Sequence, residues 1–386
     1  MVKLGSEVLL ESRRLAGARI GIVCNPASID SRFGHIVDRL AKADDIKLTA
    51  IFGPQHGFRS DVQDNMVETP HVQDGERRVP IYSLYSETRE PTAEMLKGVD
   101  MLVVDLQDIG ARIYTYIYTV ANCLRACRRH GIAMLICDRP NPIGGEDVEG
   151  ALLRPGFESF VGQFPIPMRH GMTIGELARM LNEDFGIGAQ LDVVRMEGWT
   201  RSMYWDDTGL PWVMPSPNIP TLDSAIVYPG TVLFEGTMLS EGRGTTRPFE
   251  LLGAPWIAAE KFVDSMNALR LPGVHFRPAV FEPTFQKFAK QTCAGCQVHV
   301  LDRQAFRPVL TGVALIDSFR RSDRARFAWR QPPYEYEHDK MPFDILSGSD
   351  ELRRQIEAEA PLAEIAESWR EDERTFQRQR ARFLLY

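Results

Sequence analysis

The sequence predicts an α/β protein, with a doubly wound parallel sheet in the N-terminal part and a second, smaller α+β domain at the C-terminus. Three observations carry this. The 386 residues suffice for about two to three domains at roughly 150 residues each. Hydrophobic residues make up 44% and charged residues 25%, the balance of a chain that buries a large core. Through the first half, apolar runs of strand length alternate with stretches of helical spacing, the pattern of βαβ units.

The elements run in order along the chain. Residues 18–24 (ARIGIVC) form a short strand stopped by Asn25-Pro26, and helical spacing continues around Ile36, Val37 and Leu40. Residues 47–52 form the next strand, broken by Gly53-Pro54; residues 80–84 form a third, and residues 91–96 a short helix. Residues 101–106 are strand-like, 114–129 read as a long helix, and 132–137 as a buried strand stopped by Asp138-Arg139-Pro140-Asn141-Pro142. Residues 173–185 form an amphipathic helix, with Thr173 as N-cap and Glu176 as its capping-box partner. Residues 191–195 close the series. From about 199 to 249 Gly, Pro, Ser, Thr and Trp dominate, punctuated by Pro211, Pro215, Pro217, Pro220 and Pro229, which predicts a long ordered loop crossing between domains. A helix (258–269), strands (297–301 and 309–316) and two charged terminal helices (350–359 and 362–382) complete the second domain. The expected domains are residues 1–228 and 229–386.

Several function classes are excluded or disfavoured. A net charge of −7 argues against a nucleic-acid partner, which needs a basic face. The longest apolar runs are of strand length, far short of the roughly 20 residues that span a bilayer, so no membrane partner is expected. Glu7, Glu11 and Arg13-Arg14 interrupt the N-terminus where a signal peptide needs an apolar core, and a cytoplasmic protein is expected. Of six cysteines, Cys24 and Cys137 read as buried free thiols, and the single pair Cys293–Cys296 reads as a turn between strands rather than a zinc site. No GxGxxG follows the first strand, GxxxxGK[ST] and GxSxG are absent, and the histidines follow no ligand spacing. No cofactor and no metal is therefore expected. Oligomeric state is not readable.

Ligands of open parallel sheets bind beyond the carboxyl ends of the strands. Here those ends carry Asn25-Pro26, the run Gly53 to Arg59, the run Asp105 to Arg112, and Asp138 to Pro142. Together they describe one polar cleft. Its candidate chemistry is carboxylate acid–base work on a glycoside, for which Asp105, Asp108, Asp138, Glu235 and Glu241 are available. Tyr114, Tyr116, Tyr118, Trp199, Trp205, Trp212 and Phe249 suit stacking on sugar faces. Arg59, Arg112, Arg139, Arg243 and Arg247 suit paired donation to a substrate carboxylate.

The blocks FGPQHGFR (52–59), LQDIGARIYTY (106–116), DRPNP (138–142) and EGRGTTRPF (241–249) resemble the signature blocks of the NamZ-type exo-β-N-acetylmuramidases, and the likeness runs from about Gly21 to the C-terminus. The resemblance implies a Rossmann-like N-terminal domain, a smaller C-terminal domain and a cleft between them. It also implies release of terminal N-acetylmuramic acid from the non-reducing ends of peptidoglycan fragments, here as part of cell-wall recycling on imported fragments. Many relatives read Pro-Glu-His-Gly where this chain has Pro54-Gln55-His56-Gly57. Gln55 cannot exchange a proton near neutral pH. The acid then falls to another carboxylate, the substrate or reaction differs within the same fold, or the chain binds sugars without hydrolysing them. The expected catalytic set is Asp105 or Glu241 as acid or base, with His56 and Asp108 orienting it. Asn141, Thr245 and Thr246 are expected on sugar hydroxyls, and Arg59, Arg112 or Arg243 on the lactyl carboxylate. Gln55, Gln107, Tyr116, Arg139, His170 and Asn218 complete the expected substrate-binding set. For Asp108 and Arg112 the competing expectation is a local ion pair at i,i+4.

Overall fold

The computed structural model describes residues 1–64 and 67–386. In chain order its first part comprises α1 (Gly5–Glu11), β1 (Arg19–Cys24), α2 (Ile36–Ala41), β2 (Lys47–Gly53), β3 (Val72–Gln73), β4 (Pro80–Ser83), β5 (Met101–Asp105), α3 (Tyr116–His130), β6 (Ala133–Cys137), α4 (Ile174–Glu183) and β7 (Leu191–Val194). The second part comprises α5 (Leu222–Thr231), β8 (Leu251–Ala254), α6 (Ala259–Ala268), β9 (Val274–Phe281), β10 (Cys293–Val300), α7 (Pro308–Ser322), α8 (Pro342–Ser347), α9 (Glu351–Glu357), α10 (Leu362–Ser368) and α11 (Arg370–Arg380).

Seven strands form one sheet in the order β3-β4-β2-β1-β5-β6-β7, parallel except for the short edge strand β3. Successive side chains on a strand point to opposite faces, and both faces here are covered. Ile20, Ile22, Val103 and Leu135 pack with Leu9 of α1 and Ile36, Val37 and Leu40 of α2. Val23, Phe52, Leu102, Val104 and Ile136 pack with Val120, Cys123, Leu124 and Cys127 of α3. That two-sided burial is why the strands read as continuous apolar runs. The strand order departs in both directions from β1, so the switch point of the sheet lies between β1 and β5. The smaller sheet is antiparallel, in the order β8-β10-β9.

The predicted βαβ series is present, and the Thr173–Glu176 capping box forms as expected at the start of α4. Four expectations need correction. Residues 91–96 form turns, not a helix. The crossing from 199 to 249 is not loop throughout: it contains α5, whose residues from Ser224 to Thr231 are all buried. A helix apolar on every side has no amphipathic period, and Pro229 within it reads as punctuation. Residues 309–316 belong to α7, not to a strand; their β-branched run is buried against α5, where Gly230 and Gly312 let the backbones meet. Cys293 and Cys296 lie within β10, both buried, because the intervening Ala294-Gly295 lets β8 approach closely. Residue 228, the expected domain boundary, lies within α5. No described helix is long and apolar enough to cross a membrane.

Candidate active site

The carboxyl ends of β2 and β5 open towards a cavity closed from the other side by the C-terminal part of the chain. Gln55 and His56 come from the turn after β2, and Ile113, Tyr114 and Thr115 from the segment before α3. Ser216 and Asn218 come from the crossing, Tyr228 from α5, and Glu235, Arg243, Phe249, Tyr334 and Glu335 from beyond it. The volume is about 40 Å³, room for reacting atoms and a few waters.

The turn after β2 is locally determined. A Cβ on Gly53 would lie 2.4 Å from the Phe58 nitrogen, so the chain can fold back on its own strand only with glycine there. The Gly57 N–H donates to the Pro54 carbonyl at 2.9 Å, and His56 is held at φ 70°. His56 Nδ1 donates to the Val62 carbonyl at 2.8 Å, which leaves Nε2 as an acceptor. Burial, with Arg243 adding to it, pushes the imidazole down to about 4, so it is neutral at physiological pH. Gln55 Oε1 accepts from the Thr115 hydroxyl at 2.6 Å. His56, Phe249 (φ 67°) and Glu335 (φ 45°) are all non-glycine residues in the left-handed region. Such conformations persist only where surrounding structure enforces them, and here three converge on one cavity.

The charges form a connected array. Glu235 Oε1 accepts from Arg243 Nη2 at 2.7 Å and Oε2 from the Tyr334 hydroxyl at 2.7 Å. Burial alone would raise Glu235, but Arg243 and these hydrogen bonds bring it below the ordinary glutamate value. Arg243 Nε lies 3.6 Å from Glu241, and Lys287 Nζ donates to Glu241 at 2.8 Å and to the Phe234 and Leu239 carbonyls. Arg243 Nε and Nη1 make no hydrogen bond among the described residues, although both are buried. Glu335 accepts from the Tyr85 hydroxyl at 3.4 Å and is pushed up to about 7, by burial first and then by the charge of Glu235.

Of the residues nominated from sequence, Gln55, His56, Tyr114, Asn218, Glu235, Arg243 and Phe249 line this cavity, with Glu241 immediately behind Arg243. The others sit elsewhere. Asp105 is fully buried in a two-pronged pair with Arg139 (2.5 and 2.9 Å), and Arg139 also donates to the Ile29 carbonyl. Asp108 caps the Gly110 N–H and lies 3.3 Å from Nε2 of the buried His170. Arg112 forms neither expected contact: its donors go to the carbonyls of Ala151, Ile166 and Leu346. Gln107 donates to the Asp108 and Pro140 carbonyls, and Asn141 to that of Met172. Tyr116 donates to the Pro215 carbonyl. The Thr245 hydroxyl closes a turn on the Gly242 carbonyl, and Thr246 and Arg59 are exposed outside the cavity. Glu335 and Tyr334 were missed. The only signal for them is the run PPYEYE (332–337), in which prolines, aromatics and acids keep to no strand or helix period.

Comparison with known proteins places these features in context. Residues 20–223 match the family model described as exo-beta-N-acetylmuramidase NamZ, N-terminal, and residues 226–386 the corresponding C-terminal model. The chain is 45% identical over 388 residues to a Bacillus subtilis (strain 168) protein named peptidoglycan beta-N-acetylmuramidase NamZ, covering 100% of this chain and 91% of that one. Crystal structures of two Bacteroides fragilis NCTC 9343 proteins, both described as DUF1343 family, superpose over 100% of this chain and 99% of each. Their TM-scores are 0.89 and 0.78, at 36% and 29% identity.

Proposed function

Because the chain belongs to the NamZ exo-β-N-acetylmuramidase family, we propose that it is an exo-acting glycosidase that releases terminal N-acetylmuramic acid from peptidoglycan fragments at the cavity described above. The observation that carries the assignment to this cavity is the meeting of two buried glutamates, Glu235 and Glu335, with Arg243 between the two parts of the chain. Glycoside hydrolysis needs one protonated carboxyl near the leaving oxygen and a negative charge facing the cationic transition state. Glu235, held anionic by Arg243 and Tyr334, supplies the charge. Among the described residues Arg243 Nε and Nη1 have no hydrogen-bond partner and are available to the lactyl carboxylate of the substrate, whereas Arg112 and Arg59 do not line the cavity. Asn218 and the amide of Gln55 are placed for sugar hydroxyls. Asp105, Arg139, Asp108, His170, Gln107 and Asn141 take the role of a rigid buried frame behind the cavity.

Incubation with a disaccharide bearing N-acetylmuramic acid at its non-reducing end tests this reading. The free sugar acid is expected by mass spectrometry; calorimetric binding without turnover would contradict it. We further place the protein in the cytoplasm, acting on imported fragments in cell-wall recycling, a setting that suits its six free, buried cysteines. Cell fractionation that finds the native protein exported would overturn that placement.

A further inference from the structure

Gln55 lines the cavity with an amide, which cannot protonate a leaving oxygen, so another group must do so. The cavity offers two carboxyls. Glu235 takes Arg243 on one oxygen and Tyr334 on the other, and both partners favour its charged form. Glu241 lies behind Arg243 with Lys287 on it. Glu335 differs in both environment and mounting. Tyr334 and Glu337 exchange both backbone hydrogen bonds at 2.9 Å, leaving Glu335 and Tyr336 as a two-residue hairpin turn with φ 45° and 67°. Such turns ordinarily use Asn-Gly, because both central residues need positive φ. Here the strained pair is clamped on both sides. Tyr334 is bonded to Glu235, and Tyr336 packs on Tyr85 and Phe160 with the Arg89 guanidinium 4.4 Å from the Tyr85 ring and 4.7 Å from the Tyr336 ring. The result holds the Glu335 side chain, 4% exposed, in the cavity wall.

We propose that Glu335 is the proton donor of this chain's glycosidase reaction; the proposal rests on the reading of the protein as a hydrolase. Glu335 gives its proton to the glycosidic oxygen as the C1–O bond breaks and its electron pair goes to the departing sugar. The anion of Glu235 faces the positive charge that develops at C1. A water then bonds to C1 through its oxygen and returns a proton to Glu335, so the enzyme ends as it began. Among the described residues, burial first and then Glu235 raise the proton affinity of Glu335, and Arg243, Tyr85 and Arg89 lower it. The resulting value near 7 keeps a proton available around neutral pH, and two carboxyls driven apart in this way mark the acid and its charged partner.

The test compares two substrates of the full-length protein: a disaccharide with a sugar leaving group, and a nitrophenyl glycoside of N-acetylmuramic acid, whose leaving group departs without a proton. In Glu335→Gln, kcat on the disaccharide is expected to fall about 1000-fold and on the nitrophenyl glycoside less than about 10-fold, as loss of a general acid requires. The alkaline limb of kcat/KM near pH 7 disappears in that variant. Glu335→Asp keeps a carboxyl and retains an alkaline limb, which secures the test if the glutamine variant folds poorly. Equal losses on both substrates, or an alkaline limb surviving in Glu335→Gln, overturn the assignment of Glu335 and leave the hydrolase reading intact. Wild-type protein inert on both substrates overturns both.

Discussion

Arg112 offers the sharpest separation between binding and stability. It is fully buried, and its guanidinium donates to three carbonyls: Ala151 and Ile166 from Nη1 and Leu346 from Nη2, each at 2.9 Å. Leu346 lies in α8, so the side chain ties the parallel-sheet part to the C-terminal part. Burial brings its pKa down to about 10, still charged at pH 7. A hydrogen bond from a charged donor contributes roughly 1.5–3 kcal/mol, and an orphaned buried carbonyl costs about 1 kcal/mol or more. Removing the charge from the interior recovers part of its desolvation cost. The net expectation for Arg112→Ala is a loss of about 4 kcal/mol, and for Arg112→Lys, whose donors all sit on one nitrogen and cannot span the three carbonyls, about half that. Urea unfolding followed by circular dichroism reads the loss directly, while KM for the disaccharide at low temperature stays within about 2-fold, since no ligand contact is removed. An unchanged unfolding midpoint together with a KM raised more than about 10-fold would refute the argument and put Arg112 on the substrate carboxylate.

The other predictions are independent of that one. Arg243→Ala should raise KM at least about 10-fold for N-acetylmuramic acid glycosides but little for N-acetylglucosamine analogues, as expected for loss of a charge-assisted contact; equal losses in steady-state assays would indicate a folding role. Asp138, accepting from the Gly175 N–H, Thr173 and the Tyr386 hydroxyl, is pushed up to about 7 by burial and by Glu176. Its native form therefore holds a proton that the unfolded chain gives up near pH 4, so stability falls as pH rises from about 4 to about 7. Asp138→Asn should flatten that part of the profile in unfolding titrations at pH 5 and 8; an unaltered slope would rule Asp138 out as its source. Gly230→Ala would bring a Cβ within 1.8 Å of the Pro308 carbonyl, forcing α5 and α7 apart. A loss of roughly 3 kcal/mol is expected from overpacking, against the 0.4–1 kcal/mol or so that Gly→Ala gains in an open helix. A raised melting temperature would contradict the close crossing.

The alternating half of the fold is legible because each strand is short, apolar and stopped by polar turn residues, and the Thr173–Glu176 box announces its helix. Beyond residue 199 the helix at 258–269 is legible as α6, but α5 and α7 are not, for a physical reason: α5 is buried on all sides and α7 carries β-branched residues into a helix–helix contact, so neither shows the period that sequence reasoning uses. The site divides similarly. Polar residues at one strand end, Gln55 and His56, do line the candidate cavity, but nothing local tells which strand-end residues face each other. Asp105 and Arg139 satisfy one another and Asp108 Oδ2 accepts from the Gly110 N–H, while Gln55 and His56 face the cavity. Glu335 reaches the cavity from more than a hundred residues beyond the strand ends, on a turn whose conformation its own residue types disfavour. Only the tertiary contacts of Tyr334 and Tyr336 put it there.

A crystal structure of the Glu335→Gln variant with an intact N-acetylmuramic acid disaccharide tests the placement of the reaction most directly. The lactyl carboxylate should sit on Arg243, with the glycosidic oxygen within hydrogen-bond reach of residue 335 and C1 facing Glu235. A sugar bound with its carboxylate on Arg59 or beside the Asp105–Arg139 pair, away from Glu235 and Glu335, would contradict it.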